Sequence, residues 1–278
     1  MEDSDEEVEV LRKELEWLLR DQVHQVLEEV HETLVECCRR FLIKASPDFS
    51  FENEEEVTLN RHDDGDNSLV HSQRILMSSP NGGINHVKCV ITLLGDSICD
   101  ADITFKHKHG KDHSQFRTGF GQERVWKLQQ IQDASNFLYT ARLRVEGQEK
   151  DHTYKTAKEV ILILDEVMKN LSQGRSCLAF PKRKSLDELV NNVNMQMLYP
   201  HVPNDVALSF YVHSSKLVLA LYHLHLNGQQ RVDITSRNQV ECTIQWLNEA
   251  VMLFTLALQQ CQQLKDKIVV LQPYEKVL

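Results

Sequence analysis

The chain is poor in several things, and each shortage excludes a class. Pro (6) and Gly (10) are scarce in 278 residues, which argues against a largely disordered or linker-like chain. No apolar run approaches the roughly 20 residues that a membrane-spanning helix needs, so no direct membrane insertion is expected. Positive charge is in deficit, 31 Lys and Arg against 41 Asp and Glu, for a formal net charge of -10. Nucleic acid is therefore not expected as a main ligand, because neutralising phosphates takes a cationic face. The seven cysteines include no Cys-x-x-Cys pair, and the opening residues are acidic where a secretory or transit leader is basic. A reducing, cytoplasmic setting is the economical expectation. Walker-type loops, Gly-rich dinucleotide turns and paired-carboxylate sites are also missing, so no enzyme class, cofactor or metal is assigned.

What the chain does have is helical periodicity at both ends. Val240, Ile244, Leu247, Val251, Phe254, Leu258, Cys261 and Ile268 recur in steps of four and three, with Lys265 as a polar intruder. A second row, Ala250, Leu253, Ala257, Leu264 and Leu271, widens this seam beyond what a two-stranded coiled coil uses and suits a bundle interior. Gln245, Asn248, Glu249, Gln259, Gln260, Gln263 and Asp266 fall on the other, polar face. At the opposite end, Ser4 and Glu7 form a capping-box pattern. Leu11, Leu15, Leu19, Val23, Val26, Val30, Leu34, Cys37 and Phe41 follow in threes and fours. Two long apolar stripes predict that the terminal helices pack on each other. Adjacent Cys37 and Cys38 point about 100° apart on a helix, so one core thiol and one peripheral thiol are expected.

Between these ends the pattern alternates in kind. A helix is expected over 123–144, facing inward with Trp126, Ile131, Ala134, Phe137, Leu138 and Ala141. Another follows the Thr156/Glu159 capping box through Val160, Ile163, Leu164, Val167 and Leu171, with Gly174 as its exit. A third follows Ser185/Glu188 through Leu189, Val193 and Met197 to Pro200. Period-two alternation marks Val87, Cys89, Ile91 and Leu93, a turn at Gly95-Asp96-Ser97, then Ala101, Ile103 and Phe105, with a further strand near 115–120. Residues 57–59 and 74–77 are shorter candidates. Val206, Leu208, Phe210 and Val212, a turn at His213-Ser214-Ser215, then Leu217, Leu219 and Leu221 read as a second hairpin, with Tyr211, Lys216, Tyr222, His223 and His225 at its outer face or margin. The expected class is α+β. A bundle of about four helices takes 1–45, 123–200 and 237–278, and one sheet domain takes 46–122 and 201–236.

Candidate chemistry is thin. Leu94-Gly95-Asp96-Ser97-Ile98 resembles the nucleophile block of GDSL-type esterases, but the Asp-x-x-His that would supply the base occurs only upstream, at Asp21 and His24. Turn chemistry is the better reading. His107, His109 and His113 are expected in a solvated, Lys-rich connection, not around zinc. His62, Asp63, Asp64 and Asp66 lack the twelve-residue calcium-loop pattern. Pro181-Lys182-Arg183-Lys184 matches a nuclear-import pattern of low specificity.

Two blocks carry a family resemblance. Trp126-Lys127-Leu128-Gln129-Gln130-Ile131-Gln132-Asp133-Ala134 and Gln262-Gln263-Leu264-Lys265-Asp266-Lys267-Ile268 resemble the Rogdi family. Glu16-Trp17-Leu18-Leu19, Leu93 to Asp96, Ala101-Asp102 and Val240-Glu241-Cys242 do so at matching places. The resemblance covers nearly the whole chain and is weakest over 48–85. It implies a helical bundle with a β-rich domain, and a role as a non-catalytic adaptor related to a RAVE complex subunit. The partners it implies are a rabconnectin-type β-propeller scaffold and the peripheral sector of the vacuolar ATPase. The location it implies is cytoplasmic, with recruitment to endomembranes or synaptic vesicles and the nuclear envelope as a secondary site. The expected bundle seam is Leu15, Leu19, Val23, Val26, Val30, Leu34, Ile244, Leu247, Val251, Phe254, Leu258 and Ile268, in a chain monomeric before assembly. The alternative is a leucine-zipper homo-oligomer acting in regulation. Zipper DNA binders place a basic region before the heptads, and here that stretch is acidic.

Overall fold

The computed structural model describes residues 2–41, 72–79, 86–109, 112–121, 123–149, 152–182, 184–226 and 232–275. The expected strand at 57–59, the His62/Asp63/Asp64/Asp66 group and Pro47 lie outside these residues. The class is α+β, with a four-helix bundle joined to two antiparallel sheets.

The chain opens with helix α1 (Glu2–Trp17), which passes through one π-helical turn at Leu18–Gln22 into α2 (Val23–Arg40). The Val23 amide donates to the Leu18 carbonyl, five residues back. That extra residue rotates the buried face: Leu15, Leu18 and Leu19 on one side of it are followed by Val23, Leu27, Val30 and Leu34 on the other. Val26 is consequently only partly buried at the margin, and Leu27 holds the core position. Cys37 and Cys38 are both buried, contrary to expectation. The reason is that α2 lies between two other helices, so faces 100° apart both meet protein.

The bundle is completed by α3 (Gln129–Glu146), α4 (Ala157–Ala179) and, after the sheets, α6 (Gln245–Leu271). Neighbours run α2, α3, α4, α6 and back to α2, so the two ends of the chain pack together. On α6 the buried positions are Leu247, Ala250, Phe254, Ala257, Cys261, Leu264, Ile268 and Leu271, in unbroken steps of three and four. The seam thus draws alternately on both expected rows, Leu247, Phe254, Cys261 and Ile268 from the first and Ala250, Ala257, Leu264 and Leu271 from the second. Val251 and Leu258 flank it, partly buried. Lys265 is no intruder on this phase: it sits on the flank and pairs with Asp165 of α4 at 2.6 Å. Val240 is not helical, and Ile244 is the N-cap residue of α6.

The first sheet has the order β1 (Ser72–Ser78), β2 (Val87–Leu94), β3 (Ser97–His109), β4 (Asp112–Phe120), with β5 (Trp126–Lys127) also pairing with β3. Val87, Cys89, Ile91, Leu93, Ala101, Ile103 and Phe105 are buried on its inner face, as the alternation requires. Gly95 turns the hairpin at φ 56°, a conformation that costs glycine little. The second sheet is β6 (Val206–His213), β7 (Lys216–Leu226) and β8 (Val232–Thr243). The two strand regions therefore form two sheets, not one. Their inner faces meet where the Trp126 ring packs edge-on against Phe210, 5.1 Å between centroids, and β8 lies alongside β1 and β2. One continuous apolar core runs from the bundle through both sheets.

Three further expectations are corrected. Residues 123–128 are not helical: Trp126 hydrogen-bonds as a strand opposite Ile98, and its ring is 1 % exposed. Gly174 does not end α4. It lies mid-helix because a Cβ there would stand 2.8 Å from the Phe254 ring. The capping box at Ser185 and Glu188 is complete, but it starts only the short α5 (Leu186–Val190), followed by a 3-10 turn at Val193–Met197. There Val193 is exposed and Leu189 packs on Ala207 and Leu224, so this stretch covers the second sheet.

Candidate functional site

The residues that tie bundle to sheets are concentrated at the C-terminal end of α4. A helix leaves its last four carbonyls without intrahelical donors, and at this end, where Leu178 is buried against the second sheet, they find partners in the protein. The turn between β6 and β7 supplies two: the Ser215 amide donates to Leu178 O at 3.2 Å and the Ser214 amide to Ala179 O at 3.0 Å. Both serines adopt positive φ, 49° and 60°, as a two-residue hairpin turn that follows the strand twist requires. The Phe180 amide donates to Ser176 O at 3.0 Å, and Gln130 of α3 donates to Cys177 O. Its Nε2 lies 2.9 Å from the carbonyls of Cys177, Phe180 and Val212, and its Oε1 accepts from the Val212 amide at 2.8 Å. Gln130 is 7 % exposed. A polar residue inside a helix reads as surface in a sequence, and nothing in its local pattern distinguishes it from Gln129 or Gln132.

Immediately upstream, the Leu128 amide donates to Asp96 O at 2.7 Å and Trp126 fills the space between the sheets. The block 126–134 is thus one continuous weld: a strand residue in the first sheet, a bridge to its hairpin turn, and a helix residue holding the second sheet and α4.

A second polar joint lies where β3 meets the second sheet. His107, expected in a loop, is a strand residue and buried. Its Nε2 sits 3.0 and 3.1 Å from the two oxygens of Asp205, and its ring stacks on His223, 6.5 Å between centroids. Burial pushes the His223 pKa down, the His107 charge adds to this, and Asp205 opposes it. His109 and His113 are strand residues of β3 and β4. Among the described residues no group of three or more His, Cys, Asp or Glu is arranged to hold a metal ion.

A crevice of about 430 Å³ separates α2 from the end of α3, with Leu27 and Val145 beside His24, Glu28, His31, Glu146 and Glu149 in its lining. Burial raises the Glu146 pKa, but hydrogen bonds from His31 and Arg142 outweigh it and hold the carboxyl below its usual range. The Ser97 hydroxyl donates to Asp96 Oδ1 at 2.7 Å as part of the hairpin turn, an arrangement of turn chemistry and not of an activated nucleophile. The cysteines are free thiols, and burial pushes Cys261 up to about 12. Such thiols pack as small hydrophobes.

Of the twelve expected seam residues, Leu15, Leu19, Val23, Val30, Leu34, Ile244, Leu247, Phe254 and Ile268 are buried, and Val26, Val251 and Leu258 are partly buried against the same core. Gln260, expected to be exposed, is half-buried and accepts from the Thr33 hydroxyl at 3.3 Å across the α2/α6 interface.

A family model described as Rogdi leucine zipper containing protein matches residues 14–231. The chain belongs to the Rogdi family. It is 38 % identical over 270 residues to protein rogdi of Drosophila melanogaster, across 97 % of this chain and 91 % of that one. It is 31 % identical over 290 residues to the rogdi homolog of Homo sapiens, across 95 % and 93 %. The Caenorhabditis elegans homolog is 25 % identical over 223 residues, across 75 % and 71 %. The matched residues of the family model include the weld at 126–134 and both histidines of the inter-sheet joint. They stop before α6, the helix with the most regular heptads. In this member of a family named for a zipper, that heptad seam is spent inside its own bundle.

Proposed function

We propose that the chain is a non-catalytic adaptor in the assembly of the vacuolar proton-pumping ATPase, acting with a rabconnectin-type β-propeller scaffold to return the pump's peripheral sector to its membrane sector. The observation that carries this reading is membership of the Rogdi family along nearly the whole chain. The interior supports it in kind. The heptad seams, the glutamine weld and the His107/Asp205 pair are all committed to holding one rigid body, which suits a protein that presents surfaces to partners. No described helix is long and apolar enough to cross a membrane. On this reading the adaptor is cytoplasmic and reaches endomembranes or synaptic vesicles through its partners.

Capture on the tagged full chain from cytosol, followed by mass spectrometry, tests the proposal. Co-purification of the propeller scaffold with peripheral pump subunits is the expected result. Capture without either, from cytosol in which both are detected, overturns it.

A further inference from the structure

An apolar groove with acidic walls lies between α1 and the last turns of α6. Its floor is Leu11, Leu18 and Leu271, its volume about 620 Å³, and its rim includes Glu14, Asp266 and Lys267. Large apolar side chains stand exposed along it, Trp17 at 48 % and Val270 at 69 %. Val10, exposed and seven residues before Trp17, continues the same helical face.

The charges of α1 are sorted across its faces. At 100° per residue, Glu7 and Glu14 share the groove side with Val10, Leu11, Trp17 and Leu18. Arg12 points away and pairs with Glu9 and Glu16, whereas exposed Lys13 flanks the Trp17 edge, 4.0 Å from Glu9. On α6, Asp266 adds a third carboxylate and Lys267 the cation of the rim.

We propose that this groove docks a lysine- or arginine-rich amphipathic helix of another protein, its apolar face on Trp17 and Val270 and its basic flanks beside Glu7, Glu14 and Asp266. Helix-in-groove recognition uses this combination of an apolar stripe and complementary rim charge. The same charges disfavour the other occupants. A second copy in a two-fold contact would set these carboxylates against themselves. The chain's own segment 42–71 carries eight Asp and Glu against two Lys and Arg, and an anionic membrane surface is also of like sign. The inference fixes the chemistry of a docked element and does not depend on the pump-assembly reading.

The test uses the full chain and a synthetic Leu/Lys amphipathic peptide about five turns long, beside the same peptide with Glu for Lys and a shuffled Leu/Lys control. Binding is read by tryptophan fluorescence, with Trp17→Phe identifying the signal. The Leu/Lys helix is expected to bind with a blue shift that Trp17→Phe removes, and to weaken about tenfold or more in Glu14→Lys and in Val270→Ser. Melting temperatures should be unchanged in these exposed-site variants. Binding that ignores Glu14→Lys and Val270→Ser, equal binding of the Glu or shuffled peptide, or no binding, overturns the proposal. So does a dimer that Trp17→Ala disperses, which assigns the groove to a second copy. Capture of phosphatidylserine vesicles through Trp17 overturns it as well, by assigning a membrane.

Discussion

Gln130 and Val212 exchange two hydrogen bonds, Oε1 accepting from the amide at 2.8 Å and Nε2 donating to the carbonyl at 2.9 Å. A helix side chain thereby pairs with β6 as a neighbouring strand would. The same Nε2 reaches two carbonyls at the end of α4, so one amide group fastens three elements.

Replacing Gln130 by Leu should accordingly cost more than an ordinary helix substitution. It strands a buried amide and carbonyl at roughly 1 to 3 kcal/mol per group, and Gln130→Glu fails as well because a carboxylate cannot donate to Val212 O. Urea denaturation should place both variants at least about 2 kcal/mol below the parent. A loss within about half a kcal/mol would mean that the weld contributes little.

Gly174→Ala sets two effects against each other. Alanine favours the helix by about 1 kcal/mol, but its Cβ would meet the Phe254 ring at 2.8 Å, and overpacking of this kind costs about 1 to 3 kcal/mol. The ring is fully buried and cannot swing into solvent, so net destabilisation is expected. In a double-mutant cycle, Phe254→Leu should absorb much of the cost; additive losses would exclude the contact as the cause.

Along α6, Phe254→Ala should cost about 3 to 5 kcal/mol through lost burial and a cavity. Gln263→Ala, on the exposed face, should stay within about half a kcal/mol. Gln260→Ala should fall between them because it removes a half-buried side chain from the α2/α6 interface, while the Thr33 hydroxyl keeps Glu29 O as its acceptor at 2.9 Å. Thermal melts rank the three, and a neutral Phe254→Ala would contradict the assigned seam.

Because that seam is buried within one chain, light scattering should report a monomer near 32.2 kDa. A dimer that persists on dilution would restore the zipper alternative.

The inter-sheet joint predicts a pH dependence with a definite sign. The His223 pKa is depressed in the fold, so the unfolded chain binds its proton more readily than the native chain. The contribution is complete above the unfolded value, near 6.5, and is lost as pH falls through and below it. His223→Gln should flatten the stability profile over that window relative to the parent. An unchanged slope between about pH 5 and 7 would assign the acid sensitivity elsewhere.

The hairpins and the ends of the bundle were legible because alternation and heptads are direct images of which side faces the core. The phase of α6 was not, since two apolar rows side by side leave the centre of a wide stripe undetermined, and contact with α4 decides it through Phe254 and Gly174. Trp126 reads equally well as the first turn of a helix, and only its pairing opposite Ile98 makes it a strand. Gln130 and His107 were missed for a shared reason: a polar residue becomes structural through partners 82 and 98 positions away, and local spacing holds no trace of them.

The π-helical turn at Leu18–Gln22 acts as a phase adjuster. It holds one residue more than a regular helix would, and the core-facing directions of α1 and α2 differ by about that one step of 100°. Removing exposed Arg20 or Asp21 would let the turn relax into an unbroken α-helix while both flanks keep their present faces. Length variation among related chains should therefore be tolerated at this turn, whereas a deletion a few residues later, inside α2, would swing Val30 and Leu34 out of the core.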